Sequence, residues 1–332
     1  MNRLAIVGGG SWGTALAIVL SPRFEEIRLW VYETDLAERM AASRQNDLYL
    51  PGFMLPANVI ISNDLESMLD GTRMVLSVMP SHLVRRMYAQ MLPMLAPETI
   101  FVSATKGIEN GTLLRSSEVI REVLRERFDP QVVVISGPSF AREVARGDPT
   151  ALVAASADSA LATHVQERFS GPTFRLYSSP DTTGVEIGGS IKNVVAIGAG
   201  VLNGLGLGHN ATAALITRGL AEMTRLAVAM GGRATTMAGL AGLGDLVLTC
   251  TGDLSRNRMV GTELASGRKL DEIVNSMKMV AEGIKTTNAA VDLARRCNVE
   301  MPIAQQMFQM LHFGVSPREA IQRLMERTLK GE

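Results

Sequence analysis

The sequence predicts an α/β protein in which a Rossmann-type, doubly wound and mostly parallel sheet precedes an all-helical domain. Up to Ser179, short runs rich in valine and isoleucine alternate with helical segments, as in a parallel sheet covered by helices. From Thr182 to Glu332 no alternating strand pattern appears, and long helical runs replace it. The 332 residues also exceed one typical domain. We therefore expect one domain over residues 1–179 and a second over residues 180–332.

Eight strands are expected in the first domain, each a short run that suits burial on both faces. They are Leu4–Val7, Ile27–Tyr32, Val59–Ser62, Met74–Val78, Ile100–Ser103, Val132–Ser136, Ala151–Ala155 and Phe174–Ser178. Between them, Asp35, Ser81 and Asp158 are polar residues that can cap a helix. They predict helices over Leu36–Arg44, His82–Leu95 and Ser159–Phe169.

Eight helices are expected in the second domain. They are Gly184–Asn203, Asn210–Met230, Ala238–Leu248, Ser255–Ser266, Leu270–Met277, Thr286–Arg296, Ile303–Gly314 and Pro317–Glu326. The crevice between a sheet domain and a helical domain is a common place for a substrate.

The glycine-rich segment near the start gives the strongest functional signal. The segment Met1 to Val7 predicts a short strand, and Gly8-Gly9-Gly10-Ser11-Trp12-Gly13 then opens an apolar helix. In this G-x-G-x-x-G pattern Gly8 allows a tight turn, Gly10 admits a pyrophosphate, and Gly13 lets the helix pack closely. The helix N-terminus adds N–H groups and a positive dipole end. Glycine-rich turns are common, so the context has to support the pattern.

An acidic residue at the expected distance supplies that support. Glu33 follows Gly13 by twenty residues and stands at the end of the second predicted strand, where an acid can bind a ribose 2′-hydroxyl. We infer that the chain binds a dinucleotide.

Composition excludes several other classes of function. Thirty-three basic residues balance thirty-three acidic ones, so no overall field favours nucleic acid or a membrane surface. The most apolar later segment, Val194 to Ile216, is interrupted by glycine and polar residues, so no membrane insertion is expected. Two cysteines, Cys250 and Cys297, fit a reducing cytoplasm. The four histidines (His82, His164, His209 and His312) are too scattered to predict a metal site.

Two loops that follow predicted strands carry candidate ligand contacts. Lys106 comes directly after Ile100–Ser103, and ligands of open α/β sheets bind at the carboxyl ends of strands. Its charge suits a carbonyl oxygen or a phosphate, although this segment alone favours a solvated loop lysine. Gly137 and Ser139 follow the next strand, with Ser139 able to cap a helix over Phe140–Arg146. A capped turn and a ligand-binding turn remain equal interpretations there.

One lysine in the helical half has unusual surroundings. Gly188-Gly189-Ser190-Ile191-Lys192-Asn193 places Lys192 in an apolar helix of small residues. Each glycine costs about 1 kcal/mol relative to alanine, so the close approach of another group must compensate. Desolvation lowers the pKa of such a lysine toward a range useful for proton transfer. The alternative is a lysine that extends from an apolar face to water, and the glycines favour the first interpretation.

Further polar residues follow in the helical half. Asp245 and Thr249 are four apart and share a face if the segment is helical. Ser255, Arg256 and Asn257 stand at a predicted helix start, where they can bind a phosphate. The alternative is an N-cap serine followed by surface charge. Cys250 is interpreted as a packed small hydrophobe.

Together these segments resemble the family of bacterial NAD(P)-dependent sn-glycerol-3-phosphate dehydrogenases over essentially the whole chain. The matching motifs are Gly8 to Ala17, Tyr49-Leu50-Pro51-Gly52, Thr105 to Ile108, Ser136 to Ala141, Glu186 to Asn193, Ala241 to Thr251 and Ser255-Arg256-Asn257. The resemblance implies a 6-phosphogluconate-dehydrogenase-like fold and reversible reduction of dihydroxyacetone phosphate to sn-glycerol 3-phosphate, which supplies phospholipid synthesis.

The resemblance, with the glycine motif, also assigns site residues. The dinucleotide would contact Gly8, Gly10, Ser11, Trp12, Gly13, Tyr32, Glu33, Tyr49, Lys106, Ala141, Arg256, Val280 and Glu282. The phosphorylated substrate would contact Lys106, Gly137, Ser139, Lys192, Asp245, Ser255, Arg256 and Asn257. Lys192 would donate and accept the proton, and Lys106, Asp245 and Thr249 would complete the catalytic group.

The chain departs from the family at the second strand, where relatives often carry a basic residue that can meet a 2′-phosphate. Val31-Tyr32-Glu33 has no positive charge, and a carboxylate repels a phosphate. We therefore expect either NAD or NADP as cofactor, with NAD used at least as well. A homodimer is expected from the apolar helical half.

Two alternatives remain at this point. A β-hydroxyacid dehydrogenase also pairs a Rossmann domain with a helical domain and a catalytic lysine, but its substrates carry a carboxylate. A nucleotide-sensing regulatory protein would have no need for Lys192 and Asp245.

Overall fold

The computed structural model describes residues 2–277, 279–329 and 331. Its strands are β1 (Arg3–Val7), β2 (Glu26–Trp30), β3 (Gln45–Asn46), β4 (Leu50–Met54), β5 (Val59–Ser62), β6 (Met74–Ser77), β7 (Ile100–Ser103), β8 (Gln131–Ser136), β9 (Thr150–Ala155) and β10 (Phe174–Ser179). All eight predicted strands are present, most within one residue of the expected ends. Met1, predicted within the first strand, lies outside the described residues.

Eight of these strands form a twisted sheet with the order β10-β9-β8-β7-β6-β1-β2-β5. Neighbouring strands are parallel except β8 and β9, which are antiparallel. The expectation of a doubly wound, mostly parallel sheet is therefore confirmed. The two remaining strands, β3 and β4, form a separate antiparallel hairpin that the apolar pattern did not predict.

The helices of the sheet domain cover both faces of the sheet. They are α1 (Ser11–Leu20), α2 (Thr34–Ser43), α3 (Leu65–Leu69), α4 (Val84–Met91), α5 (Ser116–Leu124), α6 (Ala141–Arg146) and α7 (Ser159–Phe169). Helices α3 and α5 were not predicted. The expected helix His82–Leu95 is α4 flanked by two short 3-10 turns, Ser81–Leu83 and Leu92–Met94.

Of the three predicted caps, Asp35, Ser81 and Asp158, only Asp158 is confirmed, and Ser139 does not cap the helix that follows it. The residue before α2 is Glu33, so Asp35 lies inside the first turn, where it pairs with Arg39 instead. Pro80, not Ser81, precedes the 3-10 turn. The residue before α6 is Phe140, and the Ser139 hydroxyl donates to the Gly137 carbonyl. The Asp158 carboxylate accepts from the first-turn amides of α7, as predicted.

The remaining chain is helical, as predicted. Its helices are α8 (Thr182–Gly204), α9 (His209–Ala229), α10 (Ala234–Met237), α11 (Asp245–Thr251), α12 (Arg256–Ala265), α13 (Leu270–Ser276), α14 (Glu282–Arg296), α15 (Pro302–Phe313) and α16 (Pro317–Met325). The expected single helix Ala238–Leu248 is wrong, because α10 ends at Met237 and a π-helical turn over Leu240–Gly244 leads into α11.

Helix α8 is the centre of the helical part. Every residue from Gly184 to Leu202 is buried, and α9, α11, α12, α14 and α15 pack around it. By length and composition it is the one described helix that could cross a membrane, but its apolar window is fully buried inside the protein. It is therefore the core helix of this part of the chain.

The sheet order brings four loops together at one edge. Strands β8, β7, β6 and β1 are consecutive neighbours. Their carboxyl ends lead into the loops that begin at Gly137, Ala104, Val78 and Gly8. Because parallel strands end on the same side of a sheet, these loops border one crevice.

Candidate active site

The glycine turn after β1 has two glycines that the protein itself requires. Gly8 has φ of +127°, and a Cβ there would collide with the Val78 carbonyl. A Cβ at Gly13 would collide with the Gly8 carbonyl, so α1 could not approach β1. These are the roles that the motif predicted for the first and third glycines.

The middle glycine of the motif faces open space. No atom lies within 4 Å of the position that a Cβ would take at Gly10. Gly10 also begins α1 without a side-chain cap, and the first turn of α1 contains no acidic residue. The amides of Ser11 and Trp12 are thus at a helix start that leaves room for an anionic group. These residues fit the pyrophosphate of a dinucleotide.

A second group of residues lies beside this turn. Tyr49 donates its hydroxyl hydrogen bond to Glu33 Oε1 at 2.7 Å. Burial, together with the neighbouring Glu33 carboxylate, raises the pKa of Tyr49 to about 12, so the hydroxyl is a donor at neutral pH. Tyr32, in contrast, is 66 % exposed and packs edge-on against Trp30.

The reactive centre is a carboxylate shared by two lysines. Lys192 Nζ contacts Asp245 Oδ1 and donates to Thr249 Oγ1 at 2.9 Å. Lys106 Nζ lies 2.8 Å from the other oxygen, Asp245 Oδ2, and 3.0 Å from the Gly137 carbonyl. The Asp245 side chain is almost completely buried and that of Lys192 nearly so. The structure thus brings together residues from the loops after β7 and β8 and from α8 and α11: Lys106, Gly137, Lys192, Asp245 and Thr249.

Burial sets the protonation of this centre. It lowers the pKa of Lys192 from its usual value to about 7, because the ammonium has lost its hydration. The Asp245 carboxylate acts in the opposite direction, and the nearby Lys106 charge lowers the pKa of Lys192 further. Lys192 can therefore exchange its proton near neutral pH. Burial raises the pKa of the adjacent Cys250 thiol to about 12, which leaves it an unreactive packed group.

The two glycines before Lys192 make this geometry possible. A Cβ at Gly188 would collide with the backbone carbonyl of Ala241, in the segment that leads to Asp245. A Cβ at Gly189 would collide with the Ser136 hydroxyl and come within 3.7 Å of the Lys106 side chain. The sequence predicted that other groups approach these glycines closely. In the structure these groups are the π-helical turn on one side and the sheet edge on the other.

The segment Ser255-Arg256-Asn257 lies at the start of α12. The Ser255 hydroxyl accepts from the Arg258 amide, so it is an N-cap. Asn257 donates to Asn193 Oδ1 at 3.0 Å and accepts from the Gly283 amide at 2.9 Å. Since Asn193 follows Lys192 in the chain, this contact places the start of α12 next to the lysine centre.

The guanidinium of Arg256 reaches the loop before α14. It donates to the Val280 carbonyl at 2.9 Å, and its charge acts on the half-buried Glu282 carboxylate. Ser81 donates to Glu282 Oε2 at 2.9 Å, so a residue after β6 contacts the first residue of α14. Arg256, Val280 and Glu282 therefore form one group that contacts the loop after β6. Ala141, the first residue of α6, is partly buried and packs against the core of the sheet domain.

Sequence reasoning missed residues that hold these parts in place. Asn46 is fully buried and donates to the Gly9 carbonyl and to Thr14 Oγ1, both at 2.8 Å. Buried Glu186 accepts from Arg115 Nη1 at 2.6 Å and from the backbone amide and hydroxyl of Ser117. Both depend on partners far away in the chain, so no local pattern signals them.

The fold and the lysine centre define a nicotinamide-dependent dehydrogenase, and comparison with known proteins narrows the class. Residues 3–162 match the family model for the N-terminus of NAD-dependent glycerol-3-phosphate dehydrogenase, and residues 181–322 match the model for its C-terminus. The chain belongs to the NAD-dependent glycerol-3-phosphate dehydrogenase family, as the motifs indicated.

Individual relatives match over nearly their full lengths. A protein of Koribacter versatilis named glycerol-3-phosphate dehydrogenase [NAD(P)+] is 58 % identical over 329 residues, 98 % of each chain. One of the same name from Citrifermentans bemidjiense is 54 % identical over 331 residues, covering 100 % of this chain and 99 % of the relative. The crystal structure of glycerol-3-phosphate dehydrogenase from Coxiella burnetii superposes with a TM-score of 0.93 at 42 % identity, covering 98 % and 99 % of the two chains.

Proposed function

We propose that the protein interconverts dihydroxyacetone phosphate and sn-glycerol 3-phosphate with NAD(H) or NADP(H), and so supplies glycerol phosphate for phospholipid synthesis. The observation that carries the proposal is the buried Asp245 carboxylate shared by Lys106 and Lys192. It lies at the sheet edge where the glycine turn fits a dinucleotide. The names of the close relatives support the same substrate and cofactor pair.

The glycine turn would hold the pyrophosphate at Gly10, Ser11 and Trp12. Arg256, Val280 and Glu282 would contact the cofactor from the helical side of the crevice. When bound, a reduced nicotinamide supplies a hydride to the ketone carbon of the substrate.

Lys192 is the proposed proton donor in the reductive direction and the proton acceptor in the oxidative direction. Its pKa of about 7 lets both forms exist at neutral pH. Thr249 and Asp245 fix the ammonium in one orientation, and the desolvated surroundings keep bulk water from competing for the proton.

Lys106 is proposed to stabilise the negative charge that develops on the carbonyl oxygen. Its ammonium is held by Asp245 and the Gly137 carbonyl, so it needs no reorganisation when the charge appears. With both lysines protonated, the two positive charges and the single Asp245 carboxylate leave one net positive charge. That surplus suits an anionic substrate and an alkoxide-like transition state.

The substrate phosphate is proposed to bind at the start of α12. Arg256 supplies a guanidinium suited to phosphate, and the helix start adds backbone amides. The side chains of Ser255 and Asn257 already bond within the protein, so their role would be to position the start of α12. Gly137 and Ser139 would border the substrate. Remote phosphate binding of this kind raises the rate by fixing geometry at the reacting carbon.

NAD is proposed to be used at least as well as NADP. The Glu33 carboxylate lies beside the glycine turn, where it favours a ribose hydroxyl and repels a 2′-phosphate. We expect kcat/KM with NADH to equal or exceed that with NADPH when both are measured with dihydroxyacetone phosphate. A strong preference for NADPH would contradict this part of the proposal.

The remaining parts of the proposal concern the whole chain. We place the boundary between the dinucleotide domain and the catalytic domain at residues 179 and 180, where β10 ends before α8 begins. A cytoplasmic homodimer is proposed, on the grounds of the two cysteines and the apolar helical half.

Replacement of Lys192 tests the central role. Lys192→Met keeps the length of the side chain and leaves Asp245 paired with Lys106, so the fold should persist. We expect kcat for dihydroxyacetone phosphate reduction to fall by about a thousandfold, within the range of general acid catalysis. The Kd for NADH, measured by fluorescence titration, should stay within about twofold.

The matched control is Lys269→Met, which removes an exposed lysine before α13. It should retain the kinetics of the unaltered protein. Turnover by Lys192→Met within tenfold of that level would exclude Lys192 as the proton donor.

A further inference from the structure

The Glu33 carboxylate does not cap α2, the helix that it precedes. Glu33 is the N-cap residue of α2, yet its side chain caps no amide of that helix. Tyr49 is its hydrogen-bond donor, at Oε1, and no other donor among the described residues reaches the carboxylate. Oε2 is thus left to accept a bond from a ligand hydroxyl.

Tyr49 is itself tied to the glycine turn. Its backbone amide donates to Asn46 Oδ1 at 2.9 Å. The amide nitrogen of the same Asn46 side chain donates to the Gly9 carbonyl and to Thr14 Oγ1. A continuous series of hydrogen bonds therefore runs from the turn that fits the pyrophosphate to the acid that would meet the ribose.

We propose that Tyr49 is a specificity-determining residue that acts through Glu33, by holding its carboxylate where the 2′-position of the adenosine ribose would lie. The inference rests on the proposed use of NAD(H). Without the Tyr49 hydroxyl, a partly exposed glutamate would populate several rotamers and turn toward water. A fixed carboxylate accepts from a 2′-hydroxyl and repels a 2′-phosphate, whereas a mobile one does both less well.

The sign of the effect follows from this geometry. Tyr49→Phe keeps the ring and removes the hydroxyl. The Kd for NADH should rise, while the Kd for NADPH should stay constant or fall, because the repelling charge can move away. We expect the ratio of kcat/KM for NADH to that for NADPH to fall about tenfold, mainly through KM, since the change lies far from the reacting carbon.

The test compares four proteins: the unaltered chain, Tyr49→Phe, Glu33→Gln and the double variant. Kd values for NADH and NADPH are measured by fluorescence titration, because both tryptophans of the chain, Trp12 and Trp30, lie near this site. If Tyr49 acts through Glu33, its replacement in the Glu33→Gln background should change the ratio by less than about twofold. Tyr177→Phe, which removes an exposed hydroxyl on β10, is the control and should change neither Kd.

Two results would overturn the inference. One is an unchanged cofactor ratio in Tyr49→Phe with an unchanged Tm. The other is an equal effect of Tyr49→Phe with and without the Glu33 carboxylate, which would mean that the tyrosine contacts the cofactor directly. A strong NADPH preference of the unaltered protein is a different result, because it would contradict the proposed NAD use itself.

Discussion

A single carboxylate between two ammonium groups is the chemical basis of the proposed site. Asp245 gives one oxygen to Lys192 and the other to Lys106. A buried lysine without a partner would lose its charge, and a second cation nearby increases that tendency. The shared carboxylate keeps the pKa of Lys192 near 7 instead of lower, so that proton exchange matches neutral pH.

Removal of this carboxylate should move the pH profile. Asp245 raises the pKa of Lys192, so Asp245→Asn should lower it below about 7. Reduction of dihydroxyacetone phosphate needs protonated Lys192. As pH rises, the decline in kcat should therefore begin about one pH unit or more lower than in the unaltered protein. We expect kcat at pH 7.5 to fall at least tenfold, measured across pH 5.5 to 9.

Asp253→Asn is the matched control for this experiment. Asp253 is an exposed carboxylate in the same part of the chain, paired with Arg258. Its profile should follow that of the unaltered protein, and a profile of Asp245→Asn that stays in place would mean that the carboxylate does not govern Lys192.

The sequence predicted individual residues where their surroundings were unusual for their type. Lys192 was identified because charge is rare in an apolar, glycine-containing helix. Asn46 was not identified, because its partners Gly9 and Thr14 are over thirty residues away and its neighbours are ordinary. Ser139 precedes a helix that it could cap, one of two equal interpretations of that turn, but its hydroxyl bonds back to Gly137. The geometry of that turn determines which acceptor the Ser139 hydroxyl reaches, and the residue type alone does not predict it.

At the scale of the element, α8 depends on glycine to reach its neighbours. Gly188 lies against the backbone of Ala241, and backbone cannot move aside as a side chain can. Gly198, ten residues further along the same helix, has the flexible side chains of Leu215 and Met307 as its nearest neighbours. The two positions have the same helix propensity and differ in what surrounds them.

Alanine should therefore impair the protein at Gly188 and be tolerated at Gly198. Gly188→Ala should separate α8 from the π-helical turn, displace Asp245 from Lys192, lower kcat at least tenfold and lower the Tm by several degrees. Gly198→Ala should leave the Tm nearly unchanged, because about 1 kcal/mol of gained helix propensity offsets the free-energy cost of mild crowding. Its kcat should be unchanged as well. Steady-state kinetics and thermal unfolding of both variants measure the difference. Equal behaviour of the two would show that close packing at Gly188 is unimportant.

Elements were predictable where the pattern was long and regular. The eight strands of the sheet have apolar runs that burial on both faces requires. The hairpin of β3 and β4 lacks such a run, since Leu50–Met54 contains proline and glycine and is largely exposed. The break at Leu240–Gly244 was missed because its residues look helical, and the close packing of Gly242 against the Met237 backbone is not visible in the sequence.

At the scale of the whole molecule, buried carboxylates join distant segments. Glu186 links α8 to the start of α5, and Glu222 on α9 accepts from the first amides of α15, Ile303 and Ala304. Each carboxylate accepts amide hydrogen bonds at the start of a helix from another element, so that the helix start and the tertiary structure are stabilised together. Burial raises the pKa of Glu222 to about 7.

This raised pKa predicts how stability depends on pH. The folded protein retains the Glu222 proton between about pH 4.5, the ordinary value in an unfolded chain, and about pH 7. Stability should therefore decrease as pH rises through that window, by at most about 3 kcal/mol from this residue. Thermal unfolding at pH 5.5 and pH 8 should show a smaller decrease in Tm for Glu222→Gln than for the unaltered protein. An identical decrease in both would assign the pH dependence to other groups.

Burial of α8 from Gly184 to Leu202 has a consequence for biosynthesis. The helices that cover it, α9, α11, α12, α14 and α15, all follow it in the chain, the last ending at Phe313. While the ribosome is still adding those segments, an apolar helix long enough to cross a lipid bilayer has already emerged, and the helices that will cover it are not yet made. The nascent chain is therefore most vulnerable to aggregation and mistargeting in the interval before its last helices are made, and a chaperone at the exit tunnel would act during that interval.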